Sequence, residues 1–318
     1  MRSPMPAGAN PQRRSFLVGA AALLALLASL TAAHPAAAED RAPTVAERLK
    51  QPRPVVIAHR GCWRAPAENS LQGIRNCMAL GVDFVEIDLR ASKDGVIVLL
   101  HDQTLDRTTS AAGSLRDLSY GDLKGPRLRA EQGGAGAELT DQRVPTFEEV
   151  LDLTEGRVFL FLDIKEPIHE EVFRLVQKHH AEGRVLFSIN RGFGPGLMTA
   201  SFVGKAAVMP KFDQYENGAC KPEADPAAEV VAYRPLNAPL YEAVFCDDRF
   251  LERVRRDVSG AGVWVNVLGP QFAAGRTEDQ ALIDPDKIWG DLLRRGVTAI
   301  QTDHPAELIA YLKRTERR

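Results

Sequence analysis

What most constrains the fold of this chain is a recurrence running from residue 55 to residue 302. Short β-branched apolar runs alternate there with longer stretches of helical period. Residues 55–58 read as a buried strand. Residues 70–80 read as a helix, with Leu71, Ile74 and Met78 on one face and Gly81 to close it. Strands are expected at 84–89, 96–100, 158–164 and 185–189, with the turn Lys93-Asp94-Gly95 between the first two. Helices are expected at 145–153, 169–181 and 305–313, and further strands at 206–209, 243–246, 263–267 and 299–302. Strand-then-helix units imply a parallel sheet covered by helices. Polar residues stand at strand ends throughout, and no Gly-x-Gly-x-x-Gly turn is present. Both facts favour an α/β fold of the closed (β/α)8 TIM-barrel kind over an open doubly wound sheet. Nine strand candidates compete for eight places, so either 206–209 or 243–246 is expected to be extended loop. The stretches 125–142 and 213–239 read as excursions, and loops of that length commonly cover a site or move.

Ahead of this pattern lies an address. Arg13-Arg14-Ser15-Phe16-Leu17 opens an apolar run to Ala33, and Ala36-Ala37-Ala38 precedes Glu39. A basic start, an apolar stretch and small residues at the end make a secretory signal, here of the bacterial twin-arginine type. Cleavage is expected after Ala38, giving two segments: 1–38 as leader and 39–318 as barrel. Periplasmic or secreted localisation follows, with no stable membrane insertion once the leader is gone.

The chain has 40 Lys plus Arg against 42 Asp plus Glu. Residues 1–38 carry three arginines and no acid, so the remaining 280 residues hold 37 against 42, a balance of −5. That balance gives no sign of a nucleic-acid partner. Four cysteines are too few for a disulfide scaffold, although Cys62 with Cys77, and Cys220 with Cys246, are spaced so that each pair could bridge after export.

The chemistry is concentrated at strand ends, which a barrel gathers at one mouth. His59 and Arg60 follow the first strand. Glu86 and Asp88 lie two apart and project from one face of the second. His101 and Asp102 end the third, and Asp163 and Lys165 share a face of the fourth. Crowded carboxylates repel one another unless a cation lies between them, and all-oxygen ligands suit Ca2+ or Mg2+. Arg60 and Lys165 supply charge for an anionic substrate, and two imidazoles can divide the work of base and acid. Such a set suits phosphoryl transfer.

The stretches His59-Arg60-Gly61, Pro66-Ala67-Glu68-Asn69-Ser70, Phe84-Val85-Glu86-Ile87-Asp88, Lys93-Asp94-Gly95 and 101–109 resemble the glycerophosphodiester phosphodiesterase family. Fainter likenesses follow at Asp163-Ile164-Lys165, Trp264-Val265-Asn266 and Thr302-Asp303-His304-Pro305. The resemblance implies a TIM barrel that uses a divalent cation to hydrolyse small-molecule glycerophosphodiesters. It implies His59 and His101 as acid–base pair and Glu86, Asp88 and Asp163 as metal ligands, with Arg60, Lys165 and Trp264 as substrate contacts. The family pattern has Glu where this chain has Asp163. Two further readings stand beside it: a lipid-directed enzyme on the same barrel, and an exported protein that binds glycerophosphodiesters without cleaving them.

Overall fold

A computed structural model of the chain describes residues 42–189 and 195–318. The twin-arginine leader and the cleavage point after Ala38 fall outside the described residues. The strands are β1 (Val55–Ala58), β2 (Phe84–Ala91), β3 (Ile97–Leu99), β4 (Phe159–Ile164), β5 (Val185–Ile189), β6 (Ala207–Asp213), β7 (Tyr215–Glu216), β8 (Ala219–Cys220), β9 (Leu240–Val244), β10 (Gly262–Asn266) and β11 (Ala299–Thr302). Eight of them, β1, β2, β4, β5, β6, β9, β10 and β11, pair in parallel. Pairing of β1 with both β2 and β11 closes them into a barrel.

Both 206–209 and 243–246 contribute barrel strands, the latter as Leu240–Val244, so the surplus strand is a different one. It is β3, which runs antiparallel to the end of β2, with Leu89 opposite Leu99 and Ala91 opposite Ile97. β2 overshoots the barrel, and Lys93-Asp94-Gly95 folds the chain back on it, Gly95 at φ +79°. The sequence pattern gives β-propensity and a turn but not strand direction, which is why β3 reads as a barrel strand.

Alternate residues of the barrel strands face inward and build two tiers. The lower is apolar: Ile57, Phe84, Phe161, Leu186, Met209, Leu240, Trp264 and Ala299 pack together, with Val45 of the N-terminal helix Val45–Leu49 among them. The upper tier carries charge, as the site below shows. The opposite faces of the strands, with Val56, Val85, Ile87 and Leu160 among them, form the larger core against the outer helices. The first of these, Leu71–Leu80, is capped by the Ser70 hydroxyl, which accepts from the Gly73 amide, and it ends at Gly81 with φ +78°. Disulfides join Cys62 to Cys77 and Cys220 to Cys246, with Cα atoms 5.2 and 6.1 Å apart. The first ties the loop after β1 to that helix. Within the stretch 213–239 lie the small hairpin β7–β8 and the helix Ala227–Tyr233. No helix among the described residues is long and apolar enough to cross a membrane.

Candidate active site

Glu86 and Asp88 lie on one face of β2, and the register sets Asp88 beside Asp163 of β4. Oxygens of Glu86, Asp88 and Asp163 lie within 4.8 Å of one another. Glu86 and Asp88 are almost fully buried. Burial first, then the charges of Asp88 and Asp163, push the Glu86 carboxyl well above its usual range. Burial would raise Asp88 as well, but Lys165 and Arg60 outweigh it and hold Asp88 below its usual value. Two buried acids driven apart in this way mark a position that calls for positive charge. Lys165 supplies part of it, its Nζ 2.5 Å from Asp163 and 2.9 Å from Asp88. It therefore rests against the carboxylates and reaches the mouth only from there.

Arg60 takes a left-handed backbone, φ +52°, and Gly61 follows at +82°. An arginine is strained there, and the turn is held by what it bonds. The Arg60 amide donates to Glu86 at 2.6 Å, while its carbonyl accepts from the Asn69 amide at 2.8 Å. Asn69, itself at φ +53°, clasps Asp88 twice: its Nδ2 donates to the carboxylate at 2.6 Å, and its Oδ1 accepts from the Asp88 amide at 3.0 Å. The segment Pro66–Ser70 thus orients the acids of β2.

His101 reaches the mouth by a route unlike the others. It follows β3, so it is carried back toward the barrel by an antiparallel strand, and Leu100 N–H bonds to the Asp88 carbonyl at 3.1 Å. Its Nδ1 lies 2.7 Å from Asp102. Burial holds the imidazole below its ordinary value. Arg107 grips Asp102 with Nε at 2.7 Å and Nη2 at 2.9 Å, and it grips Glu68 with Nη1 at 2.9 Å and Nη2 at 2.8 Å. Glu68 also accepts from Arg60 at 3.0 Å. A single chain of charge-assisted bonds therefore runs from His101 to Arg60.

The excursion 125–142 buttresses this chain. Glu131 bonds to both Pro66 and Glu68 through its backbone, and Gly134 N–H donates to the Arg107 carbonyl at 2.7 Å. Any Cβ at Gly133 would sit 2.2 Å from that carbonyl oxygen.

His59 stands across the mouth with Nδ1 2.8 Å from Asp303, the residue after β11. The same Asp303 oxygen accepts from Trp63 Nε1 at 2.9 Å. Glu278 holds Asp303 in turn, accepting from its amide and from the Thr302 hydroxyl, both at 2.5 Å. Burial and the charge of Asp303 push Glu278 up to about 7.

The structure thus brings together seven of the eight residues singled out in the sequence. Trp264 is the exception. It is fully buried in the lower tier, its ring 4.7 Å from that of Phe161. With no exposed surface it offers nothing to a substrate, and the substrate contact expected of it is corrected to a core position. Asn266, two residues on, occupies the upper tier of that strand beside Gln301. Lys211 and Glu242, register neighbours whose charged groups lie 3.5 Å apart, form the opposite wall. Sequence reasoning passed over both, though each lies on an inward-facing position of its strand.

Comparison with known proteins agrees with this geometry. Residues 59–222 match the model of the glycerophosphoryl diester phosphodiesterase family, and residues 219–312 match a domain of unknown function. The chain belongs to the glycerophosphoryl diester phosphodiesterase family. A glycerophosphodiester phosphodiesterase of Caldanaerobacter subterraneus subsp. tengcongensis is 32% identical over 142 residues, 42% of this chain and 57% of the relative. One from Bacillus subtilis is 29% identical over 150 residues, 43% of this chain and 50% of the relative. The chain thus spans about half the length of the curated relatives it matches. Among solved structures, a glycerophosphoryl diester phosphodiesterase of Parabacteroides distasonis superposes with a TM-score of 0.67 at 22% identity, covering 84% of this chain and 88% of that one. A phosphodiesterase of Oleispira antarctica in complex with the product sn-glycerol-3-phosphate gives 0.60 at 22% identity, covering 82% and 97%.

Proposed function

We propose that this chain hydrolyses small-molecule glycerophosphodiesters to an alcohol and glycerol 3-phosphate, with a divalent cation bound at the mouth. The observation that carries the reading is the convergence of three carboxylates whose oxygens lie within 4.8 Å, flanked by two histidines that each bond a carboxylate through Nδ1. The donor set fits a hard cation. All three ligands are oxygens, the Glu86 carboxyl is unstable as an anion where it stands, and Asp88 Oδ1 is buried without a hydrogen bond, only the Lys165 charge nearby. Glu86, Asp88 and Asp163 would hold Ca2+ or Mg2+, which when bound supplies charge to the phosphate oxygens.

The chain's own residues do the rest. Arg60 and Lys165 balance the phosphate charge. His101, oriented by Asp102, takes at Nε2 a proton from the attacking water, whose oxygen joins phosphorus as the bond to the departing alkoxide breaks. His59, with Nδ1 on Asp303, hands a proton from Nε2 to the departing alkoxide. Asp163 carries one methylene less than the family's Glu, so its oxygen stands further back toward its own strand. Export to the periplasm or beyond through the twin-arginine leader belongs to the same proposal, supported by the sequence of residues 1–38 and by two cysteine pairs suited to an oxidising compartment.

The test is release of glycerol 3-phosphate from glycerophosphocholine by purified protein, in chelator, Ca2+ and Mg2+ arms, beside His59→Ala. Turnover that needs both metal and His59 is expected. No turnover in any metal arm, with turnover on lysophospholipids, would replace the proposal with the lipid-directed reading. Tight binding of the diester without turnover on either would replace it with the binding-protein reading.

A further inference from the structure

A second charged cluster lies at the opposite end of the barrel. There Asp83, just before β2, is buried, and its two oxygens are fully engaged. Oδ1 meets Arg48 Nε at 2.7 Å and Arg53 Nη2 at 2.9 Å; Oδ2 meets Arg318 Nη1 at 2.7 Å and the Val56 amide at 2.9 Å. Burial would raise the Asp83 carboxyl, but Arg48 and Arg318 outweigh it and hold it below its usual value. One carboxylate therefore answers three guanidiniums. A cavity of about 310 Å³ opens beside it, lined by these four residues and also by Arg157 and Arg184. Among the lining side chains, five arginines face one acid.

A structural explanation covers part of this. Asp83 ties the N-terminal helix, through Arg48, and the C-terminal residue Arg318 to the base of β2. It does not cover the surplus. Arg48 is 3% exposed, and among the described residues its Nη1 has no hydrogen-bond partner; Arg53 Nη1 is likewise buried and unpartnered among them. Arg184 spends its guanidinium on the Leu151 and His179 carbonyls, at 3.3 and 3.4 Å, with Glu155 and Asp152 the nearest acids. Among the described residues the Arg157 side chain has no hydrogen bond or ion pair, and it lies exposed at the rim. Buried N–H donors left without acceptors are costly, and such a group beside a roomy cavity marks a missing partner.

We infer that this cavity is an anion site for a small doubly charged oxyanion, inorganic phosphate or a phosphate monoester. Guanidinium forks match phosphate oxygens in pairs, and a tetrahedral anion can meet several arginines at once where a single planar carboxylate cannot. The size agrees with a phosphate and a short organic tail and excludes a whole lipid. The bound anion would link the N-terminal helix, the base of β2 and the chain before β4, so it stabilises the closed floor of the barrel by mass action.

Phosphate also has reason to bind at the mouth, so the test silences that end first. Full-length Arg60→Ala/Lys165→Ala protein, treated with chelator, is titrated with inorganic phosphate in a calorimeter and followed by thermal melting. One equivalent is expected to bind and to raise Tm. Adding Arg53→Glu and Arg157→Glu should weaken that binding at least tenfold, while Arg53→Lys and Arg157→Lys should retain most of it. Circular dichroism without phosphate confirms that each variant is folded. Absence of binding in the silenced protein, or binding indifferent to the charge reversals, overturns the inference. A parallel arm with glycerol 3-phosphate separates the sources: tighter binding assigns the site to a phosphate monoester, and equal or weaker binding assigns it to the free ion.

Discussion

The two ends of the barrel hold the same kinds of side chain in opposite proportion. At the mouth three carboxylates crowd one another, with Arg60 and Lys165 too few to satisfy them. At the floor three arginines share one buried aspartate, and two more line the cavity beside it. Between them lies an apolar tier, with Trp264 and Phe161 at its heart, that keeps water and charge apart. Charge left unbalanced in a folded protein is costly unless something arrives to balance it. On the two proposals made above, the difference teaches what each end would receive: a cation and then a phosphodiester at the mouth, an anion at the floor.

The comparison can be broken most severely at the mouth. Asp88→Asn removes a buried carboxylate proposed to bind the metal, the partner of Lys165 and Asn69, and turnover should fall by about 10³-fold or more, assayed as glycerol 3-phosphate release with saturating Ca2+ or Mg2+. An undiminished rate would show that the acids are structural. At the floor the corresponding change is Asp83→Ala, which strands Arg48 and Arg318. A loss of about 3 kcal/mol, on the order of 10 °C in melting temperature, is expected, with turnover per folded molecule kept. If activity fell and stability did not, the roles given to the two ends would be exchanged.

Asp303→Asn tests the orientation of His59. It should lower kcat by about 10²-fold while KM holds, less than the loss from His59→Ala, and it should displace the pH–rate profile. A KM effect alone would make Asp303 a substrate contact.

Glu278 offers a smaller effect with a definite sign. Its carboxyl is pushed up to about 7 in the folded protein against about 4.3 when unfolded. The folded state thus binds the extra proton between those values. Its stabilising contribution is complete below about pH 4 and is lost as pH rises through 7. Melting temperature should fall across that window in the wild type and stay flatter in Glu278→Gln. The smallest effect is expected at the divide between the ends. Trp264→Phe should cost about 1 kcal/mol in stability and leave KM alone, and a raised KM would return that ring to the substrate.

Much of the mouth was legible in the sequence because its residues lie in short, dense motifs from 59 to 109 on strands whose alternation fixes their facing. Asp163 and Lys165 were found for the same reason, two apart on an apolar strand. What escaped was whatever depends on long-range register. Between Lys211 and Glu242 lie the β7–β8 hairpin and the helix Ala227–Tyr233, and only the pairing of β6 with β9 makes them neighbours. Trp264 was misread because a strand only five residues long does not reveal how deep in the barrel each position falls. The direction of β3 was hidden too, since one apolar run serves either direction. The floor cluster gave no local signal at all: Arg48, Arg53, Asp83 and Arg318 meet only through closure.

The bond from His59 to Asp303 spans 244 residues and crosses the seam where the first strand meets the last. During synthesis the histidine leaves the ribosome among the earliest folded parts, and its partner among the latest. A chain halted between residues 101 and 303 already contains the acids of β2 and both imidazoles, yet it lacks the carboxylate that holds one of them. The pairing of His59 with its carboxylate is therefore complete only when the first and last strands of the barrel have met.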